Sequence, residues 1–375
     1  MLEISQQTKQ KNSSKTVVVG MSGGVDSSVT ALILKEQGYN VIGMYMKNWE
    51  ELDENGNCTS EADYEDVAQT CAQINIPFRA IDFVKEYKDN VFSHFLTEYK
   101  KGNTPNPDIL CNREIKFKVF YNKAMEIGAD YLATGHYCRT DGERLLKGVD
   151  QGKDQSYFLY AISKDVLKNV LFPVGELEKP QVREIAAKYD LPTKTKKDST
   201  GICFIGERNF RNFLSEYIET QKGDFCLLDG TKVGRHEGAC FYTVGQRKSL
   251  GLGGQGERWF VVDKDISKNI VYVERGNHPK LYTMDLIGDN ITWIDEPKEF
   301  PYRCKAKIRY RQEDQDCTLF KTDGDLIKVV FDSPQKGAAV GQSIVFYSED
   351  NCLGGVMVKS LGKDFHELGL NAPES

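Results

Sequence analysis

Residues 16–28, Thr-Val-Val-Val-Gly-Met-Ser-Gly-Gly-Val-Asp-Ser-Ser, constrain the fold of this chain more than any other stretch. A β-branched apolar run leads into Ser22-Gly23-Gly24-Val25-Asp26-Ser27, after which Val29, Leu32 and Ile33 recur on one helical face. This pattern predicts a buried parallel strand, a glycine turn and a helix start. Consecutive backbone N–H groups at such a turn form an anion nest, reinforced by the positive end of the helix. The paired glycines allow close approach of an oxyanion. The loop is therefore suited to a phosphate. It is not a Walker loop, because no Gly-Lys-Ser/Thr follows; small hydroxyls and Asp26 take the place of the Walker lysine.

Further strand-like runs at 41–46, 78–83 and 130–134 alternate with helical patterns at 61–74 and 84–99. That alternation predicts a doubly wound parallel sheet, covered on both faces. Ligands of such sheets bind beyond the carboxyl ends of the strands. The glycine loop, Met46 and Thr134-Gly135-His136 are expected at that edge. From about residue 210 the character changes: Asp229-Gly230 signals a hairpin, glycine is dense over 245–256, and short alternating strands follow. The expected division is a disordered polar tail (1–15), an α/β domain (16–210), a small connecting domain (211–283), an antiparallel β-barrel or sandwich (284–362) and a tail (363–375).

No run is long and apolar enough to span a membrane, and the first fifteen residues lack the apolar core of a secretory signal, so a cytoplasmic protein is expected. Ten cysteines are scattered without a Cys-x-x-Cys, which argues against a zinc ribbon, an iron–sulfur loop or a thioredoxin-type pair, and no metal-ligand set emerges. The net charge of −6 does not announce a nucleic-acid binder, so charge distribution carries that question. In Arg303-Cys-Lys-Ala-Lys-Ile-Arg-Tyr-Arg311 every second residue is basic. On a strand, that pattern predicts five cations on one face, a stripe able to follow a phosphate backbone.

Two further stretches carry chemistry. In residues 101–118 two prolines stiffen a loop ahead of a helix, and Cys111 falls near that helix's start with Arg113 and Lys116 close in sequence. Both settings favour a thiolate, and Asp108 could exchange protons with it. In residues 194–206 three lysines precede Asp198-Ser199-Thr200-Gly201, and Cys203 follows among apolar neighbours that by themselves suggest burial.

The loop Ser22–Ser27 resembles the pyrophosphate-loop signature, whose members split ATP between the α and β phosphates. Taken with Asn106-Pro107-Asp108-Ile-Leu-Cys111 and Gly201-Ile-Cys203-Phe-Ile-Gly206, in this order, the chain resembles the tRNA-specific 2-thiouridylase family from about residue 16 to 360. The resemblance implies that Mg²⁺-bound ATP sits on Gly20, Met21, Ser22, Gly23, Gly24, Val25, Asp26 and Ser27, with Met46 and Gly135 lining the adenosine. It implies that Asn106, Pro107 and Asp108 meet the target base. Cys203 would carry sulfur as a persulfide, Cys111 would be the nucleophile, Asp108 the acid–base, and the two cysteines would pass through a disulfide. Lys153, Asp154 and Gln155, with His136, Arg309, Tyr310 and Gln342, would touch tRNA. The implied partners are tRNAs of the lysine, glutamate and glutamine type with a wobble uridine, and a cysteine desulfurase or sulfur-relay protein. The rivals are a metabolite ligase sharing the ATP loop and a tRNA-binding module without catalysis. The two cysteine motifs and the basic segment speak against the first, and the intact loop and cysteines against the second.

Overall fold

The computed structural model describes residues 5–49, 59–198 and 210–373. Strand β1 (Thr16–Met21) is buried along almost its whole length because it has parallel neighbours on both sides, β2 (Asn40–Lys47) and β4 (Tyr131–Ala133). β3 (Phe78–Asp82) extends the sheet beyond β2. A hairpin of β5 (Cys138–Thr140) and β6 (Leu145–Lys147) follows, and β7 (Val170–Leu171) then pairs with β4. The sheet order β3-β2-β1-β4-β7 reverses direction at β1 and β4. In open α/β sheets that reversal opens a crevice at the carboxyl ends of the two strands. The glycine loop follows β1 and Gly135 follows β4, so both lie at this crevice.

Helix Val25–Glu36 is buried on nearly every side. One side faces the sheet, and Val25, Val29, Leu32 and Ile33 pack with Val182, Ala186 and Leu191 of the helix Lys179–Lys188 and the turn after it. The amphipathic pattern at 61–74 becomes helix Thr59–Gln73. The pattern at 84–99 becomes three consecutive segments, Val84–Tyr87, a π-helical Lys88–Phe92 and Ser93–Lys100.

A second sheet orders β8 (Gly223–Cys226), β9 (Lys232–His236), β10 (Trp259–Asp265) and β11 (Ile270–Arg275) as β10-β11-β8-β9. The Asp229-Gly230 turn joins β8 to β9, with Gly230 at φ +90°. In the third sheet β12 (Tyr282–Trp293), β13 (Tyr302–Lys307), β14 (Gln315–Thr322), β15 (Leu326–Lys336), β16 (Ser343–Ser348) and β17 (Asn351–Leu361) close on themselves. Closure follows because β12 pairs with both β15 and β17, which makes the third unit a barrel and not a sandwich. The β5–β6 hairpin docks on this barrel through Asn351 opposite Leu146 and Cys352 opposite Leu145, a link across the chain that local patterns do not show.

Three expectations are corrected. Residues 6–12 of the polar tail form a helix with Ser5 as its N-cap, and Asn12 Nδ2 donates to the Gln37 carbonyl at 2.8 Å. At the other end, Phe365 is buried against Tyr282, so the stretch after 362 is anchored at that residue while 366–371 stay exposed. The basic stripe breaks up because β13 stops at Lys307. Lys307 is buried, Arg303 pairs with Asp332, and Arg309 turns inward to the carbonyls of Gly337 and Val244 at 2.6 and 3.2 Å. Alternation holds only while the strand continues. Among the described residues no helix is long and apolar enough to cross a membrane.

Candidate active site

The turn after β1 is stitched by its own hydroxyls. Ser27 Oγ accepts the Ser22 N–H at 3.2 Å and donates to the Gly24 carbonyl at 3.1 Å, while Ser28 Oγ donates to the same carbonyl at 2.9 Å. No side chain caps the helix at Gly24, so its first amides remain for an anion. Gly23 sits at φ +76°, where a Cβ would also meet the Asp63 carbonyl at 2.9 Å. A Cβ on Gly135 would lie 2.8 Å from Ser27 N, so the two crevice loops touch backbone to backbone. Met21, Val25 and Met46 bury their side chains and offer the crevice only main chain. Met46 is inside β2, not after it.

Asp26, second residue of the helix, is held by side chains from two later segments. Its Oδ1 accepts from Tyr137 Oη at 2.7 Å and from Lys179 Nζ at 2.7 Å, and its Oδ2 accepts from Lys179 at 2.9 Å. The third Lys179 donor reaches Asp198 Oδ1 at 2.8 Å. Asp198 also pairs with Arg183 at 2.6 Å and Lys153 at 2.7 Å. Burial acts to raise the Asp198 pKa, but Lys153 and Lys179 outweigh it and hold the carboxyl below the usual range. Burial and the Asp26 charge push the Tyr137 hydroxyl well up, which keeps it a donor. Neither Lys179 nor Tyr137 stands out in the sequence. Their only signal is the strand-order reversal that brings their segments to the loop.

The loop before Cys111 lies where the three sheets meet. Thr104 N–H donates to the Val340 carbonyl at 3.0 Å, and Thr104 Oγ1 lies 3.1 Å from Thr243 Oγ1. Asn106 Oδ1 caps the next helix through Asp108 N at 3.0 Å and Ile109 N at 3.4 Å, with Pro107 in its first turn. Helix Pro107–Leu110 continues as a π-helical Cys111–Phe120 with non-helical geometry at Phe117. Such winding is frequent at functional sites. The local sequence favours a thiolate at Cys111, but the side chain is 0% exposed, packed in the core with Leu110, Ile115 and Tyr157. The helix start does lie beside it, but it turns position 111 inward. Cys203 lies outside the described residues.

The RNA candidates divide. Lys153 and Tyr310 adjoin each other: Tyr310 packs on Phe158 with ring centroids 4.4 Å apart and its hydroxyl is 3.5 Å from the Lys153 carbonyl. Asp154 is buried and accepts from Gly148 N, Ser156 N and Ser156 Oγ, while Gln155 Oε1 accepts the Tyr137 N–H at 3.0 Å. His136 is buried between Phe117 and Phe172, its Nδ1 2.7 Å from Thr134 Oγ1. Burial and the nearby Lys116 charge push its pKa well down, so the imidazole is neutral. Gln342 follows Gly341, where a Cβ would lie 2.9 Å from Asn103 Cβ, which places it beside the base-loop candidates. Among the described residues no cluster of three or more acidic, histidine or cysteine side chains could hold a metal. A magnesium ion here fits only as one carried mainly by phosphate oxygens.

Three family models match the chain in succession: a tRNA methyl transferase HUP domain over 15–207, a tRNA methyl transferase PRC-barrel domain over 211–275, and an aminomethyltransferase beta-barrel domain over 283–358. The tRNA-specific 2-thiouridylase MnmA of Protochlamydia amoebophila is 56% identical over 365 residues, covering 96% of this chain and 97% of the relative. The protein of the same name from Bacillus subtilis is 55% identical over 359 residues, covering 94% and 97%. That from Alkaliphilus oremlandii is 55% identical over 355 residues, covering 92% and 98%.

Proposed function

The chain belongs to the tRNA-specific 2-thiouridylase family, and from that premise we propose that it converts a wobble uridine of tRNA to 2-thiouridine by adenylating the base and delivering sulfur from a cysteine persulfide. The observation that carries the ATP half is the uncapped helix start at Gly24, packed against Gly135 at the strand-order reversal. Amides and helix end would hold the phosphates, with Mg²⁺ supplying charge neutralisation. The uridine 2-oxygen attacks the α phosphorus, and pyrophosphate leaves with the electrons of the broken bond. The poor oxide leaving group thereby becomes AMP.

The sulfur half rests on the two cysteine motifs. The outer sulfur of a Cys203 persulfide attacks ring carbon 2, with Asp108 as the proton acceptor. Cys111 thiolate then attacks the inner sulfur, the S–S bond breaks towards the base, and AMP leaves as C=S forms. A Cys111–Cys203 disulfide remains for an external thiol to reduce. Cys111 is buried, so this step requires helix 107–120 to repack, and its π-helical turns with the break at Phe117 are suited to that. Lys153 and Tyr310, half-exposed beside one another, are the best-placed RNA contacts; His136, Asp154 and Arg309 are held in the protein and act by shaping the surface.

The test uses tRNA lacking 2-thiouridine, incubated with the protein, ATP, Mg²⁺, cysteine and a cysteine desulfurase, then digested for mass spectrometry. The parent protein is expected to form 2-thiouridine, and Cys111→Ser and Cys203→Ser are each expected to form none. AMP and pyrophosphate without thiolated base would move the assignment to a ligase. Methylated uridine formed with a methyl donor would favour the activity in the domain models' descriptions.

A further inference from the structure

Lys179 is a charged side chain that sequence reasoning overlooks, bonded to Asp26 of the phosphate-loop motif. It opens the helix Lys179–Lys188, whose first turn lies beside that of Val25–Glu36, and its own N–H donates to Asp150 Oδ2 at 2.9 Å. Its side chain is only 11% exposed, and all three ammonium donors are used, two on Asp26 and one on Asp198. Burying a lysine costs desolvation, so its partners should need it. Neither depends on it alone. Asp26 keeps the Tyr137 hydroxyl and the positive end of its helix, and Asp198 keeps Lys153 and Arg183. The cluster holds the cations Lys153, Lys179 and Arg183 against the carboxylates Asp26 and Asp198. With Asp150, whose carboxylate accepts the Lys179 N–H, three carboxylates face these three cations beside a set of uncapped amides, so a phosphate arriving there would compete with carboxylates for the same donors. Lys179 is the member that both carboxylates can release, and the one bonded to Asp26, which follows closely on the loop glycines.

We propose that Lys179 is the phosphate-binding cation of the adenylation site: it moves an ammonium donor from Asp26 onto a nucleoside triphosphate held on the loop and stabilises the charge gathering on the departing pyrophosphate. This rests on the ATP-dependent reading above and names a residue for it. As the bond between the α phosphorus and its bridging oxygen breaks, the electron pair goes to pyrophosphate, and Lys179 meets that charge without giving up its proton. Arg183 serves Asp198 and the carbonyls of Lys194 and Lys196, and takes no part in phosphate binding.

The experiment is equilibrium binding of α,β-methylene-ATP, which needs neither tRNA nor sulfur, to the full chain. Lys179→Met is expected to weaken binding roughly 10- to 100-fold, the range for a hydrogen bond to a charged group, with Arg183→Met within about threefold of the parent. In tRNA-dependent pyrophosphate release, Lys179→Met should lower kcat more than it raises KM for ATP, and Lys179→Arg should recover part of both. In parent protein labelled with 15N-lysine, the Lys179 ammonium resonance, assigned by its loss in Lys179→Arg, should move on saturation with the analogue. This reading remains decisive if Lys179→Met does not fold. Unchanged analogue affinity in folded Lys179→Met, or a resonance that stays in place, overturns the proposal. Restored affinity in Asp26→Asn/Lys179→Met also overturns it, since Lys179 would then only balance Asp26. If no 2-thiouridine forms while these binding results hold, the thiolation reading falls and the role of Lys179 stands.

Discussion

Two lysine–aspartate clusters use the same chemistry in opposite ways. At the sheet edge, Lys179, Lys153 and Arg183 surround Asp26 and Asp198, whose side chains are 31% and 33% exposed. Where the β5–β6 hairpin meets the barrel, Lys147 pairs with Asp314 at 2.5 Å, and Lys307 lies 3.7 Å from Asp314 and 3.8 Å from Asp154. Both ammonium groups there also sit over the Tyr347 ring, at 4.5 and 5.5 Å. In this second cluster Asp154 is 2% exposed and water cannot replace a lost partner. In the first cluster each carboxylate has partners to spare and solvent within reach. Depth decides the use: the buried cluster fastens the hairpin to the barrel, and the edge cluster can change partners when a ligand arrives.

The hardest blow to this contrast is Asp314→Ala. Leaving Lys147 and Lys307 short of a carboxylate should cost about 3–5 kcal/mol in denaturant unfolding. Lys147→Met combined with Asp314→Leu should recover most of it, because an apolar pair suits a dry site. Thiolation per folded molecule should stay near the parent's. A loss below about 1 kcal/mol would put this cluster in the same class as exposed pairs. Asp198→Asn is the counterpart at the edge and should change stability by less than about 1 kcal/mol. Its effect should appear in linkage instead. Lys179 and Lys153 share Asp198, so α,β-methylene-ATP should alter tRNA affinity in the parent and do so much less in Asp198→Asn. Equal linkage in both proteins would remove Asp198 from the connection.

The smallest expected effect is one of sign. Burial raises the Asp154 pKa, so between about 4 and its folded value the native state holds more protons than the unfolded chain, and stability falls as pH rises through that window. At Asp198 burial is outweighed by Lys153 and Lys179, the pKa is depressed, and stability present above about pH 4 is lost as pH falls below it. Melting curves from pH 2.5 to 6, with Asp154→Asn and Asp198→Asn each subtracted from the parent, should therefore slope in opposite directions. Parallel slopes would mean that depth does not separate the clusters.

Local pattern was a good guide wherever an element's own residues decide its structure. The four strand-like runs of the α/β part each lie on a strand of the sheet within a residue or two; the β-branched apolar run of β1 is buried between parallel neighbours, whereas β3, at the sheet edge, has no buried residue. The hairpin at Asp229-Gly230 was legible because the turn needs a positive φ that Gly230 supplies. The pattern misled at Arg303–Arg311, where alternation continues in the sequence after the strand has ended at Lys307. At Cys111 the local sequence left a reactive and a half-buried thiol both open, and the helix turns the thiol into the core.

The order of residues alone determined the phosphate loop, the parallel sheet and the crevice at its carboxyl edge, since strand, turn and helix propensities act over a few residues and reinforce one another there. It also carried the three motifs that mark the family. The tertiary structure alone decided which charges face one another. Lys179 and Tyr137 reach Asp26 from segments more than a hundred positions away, and Lys147 reaches Asp314 from a hairpin that joins another domain's barrel. Electrostatic energy depends on distance and burial in space, and neither is written in the spacing of residues along a chain.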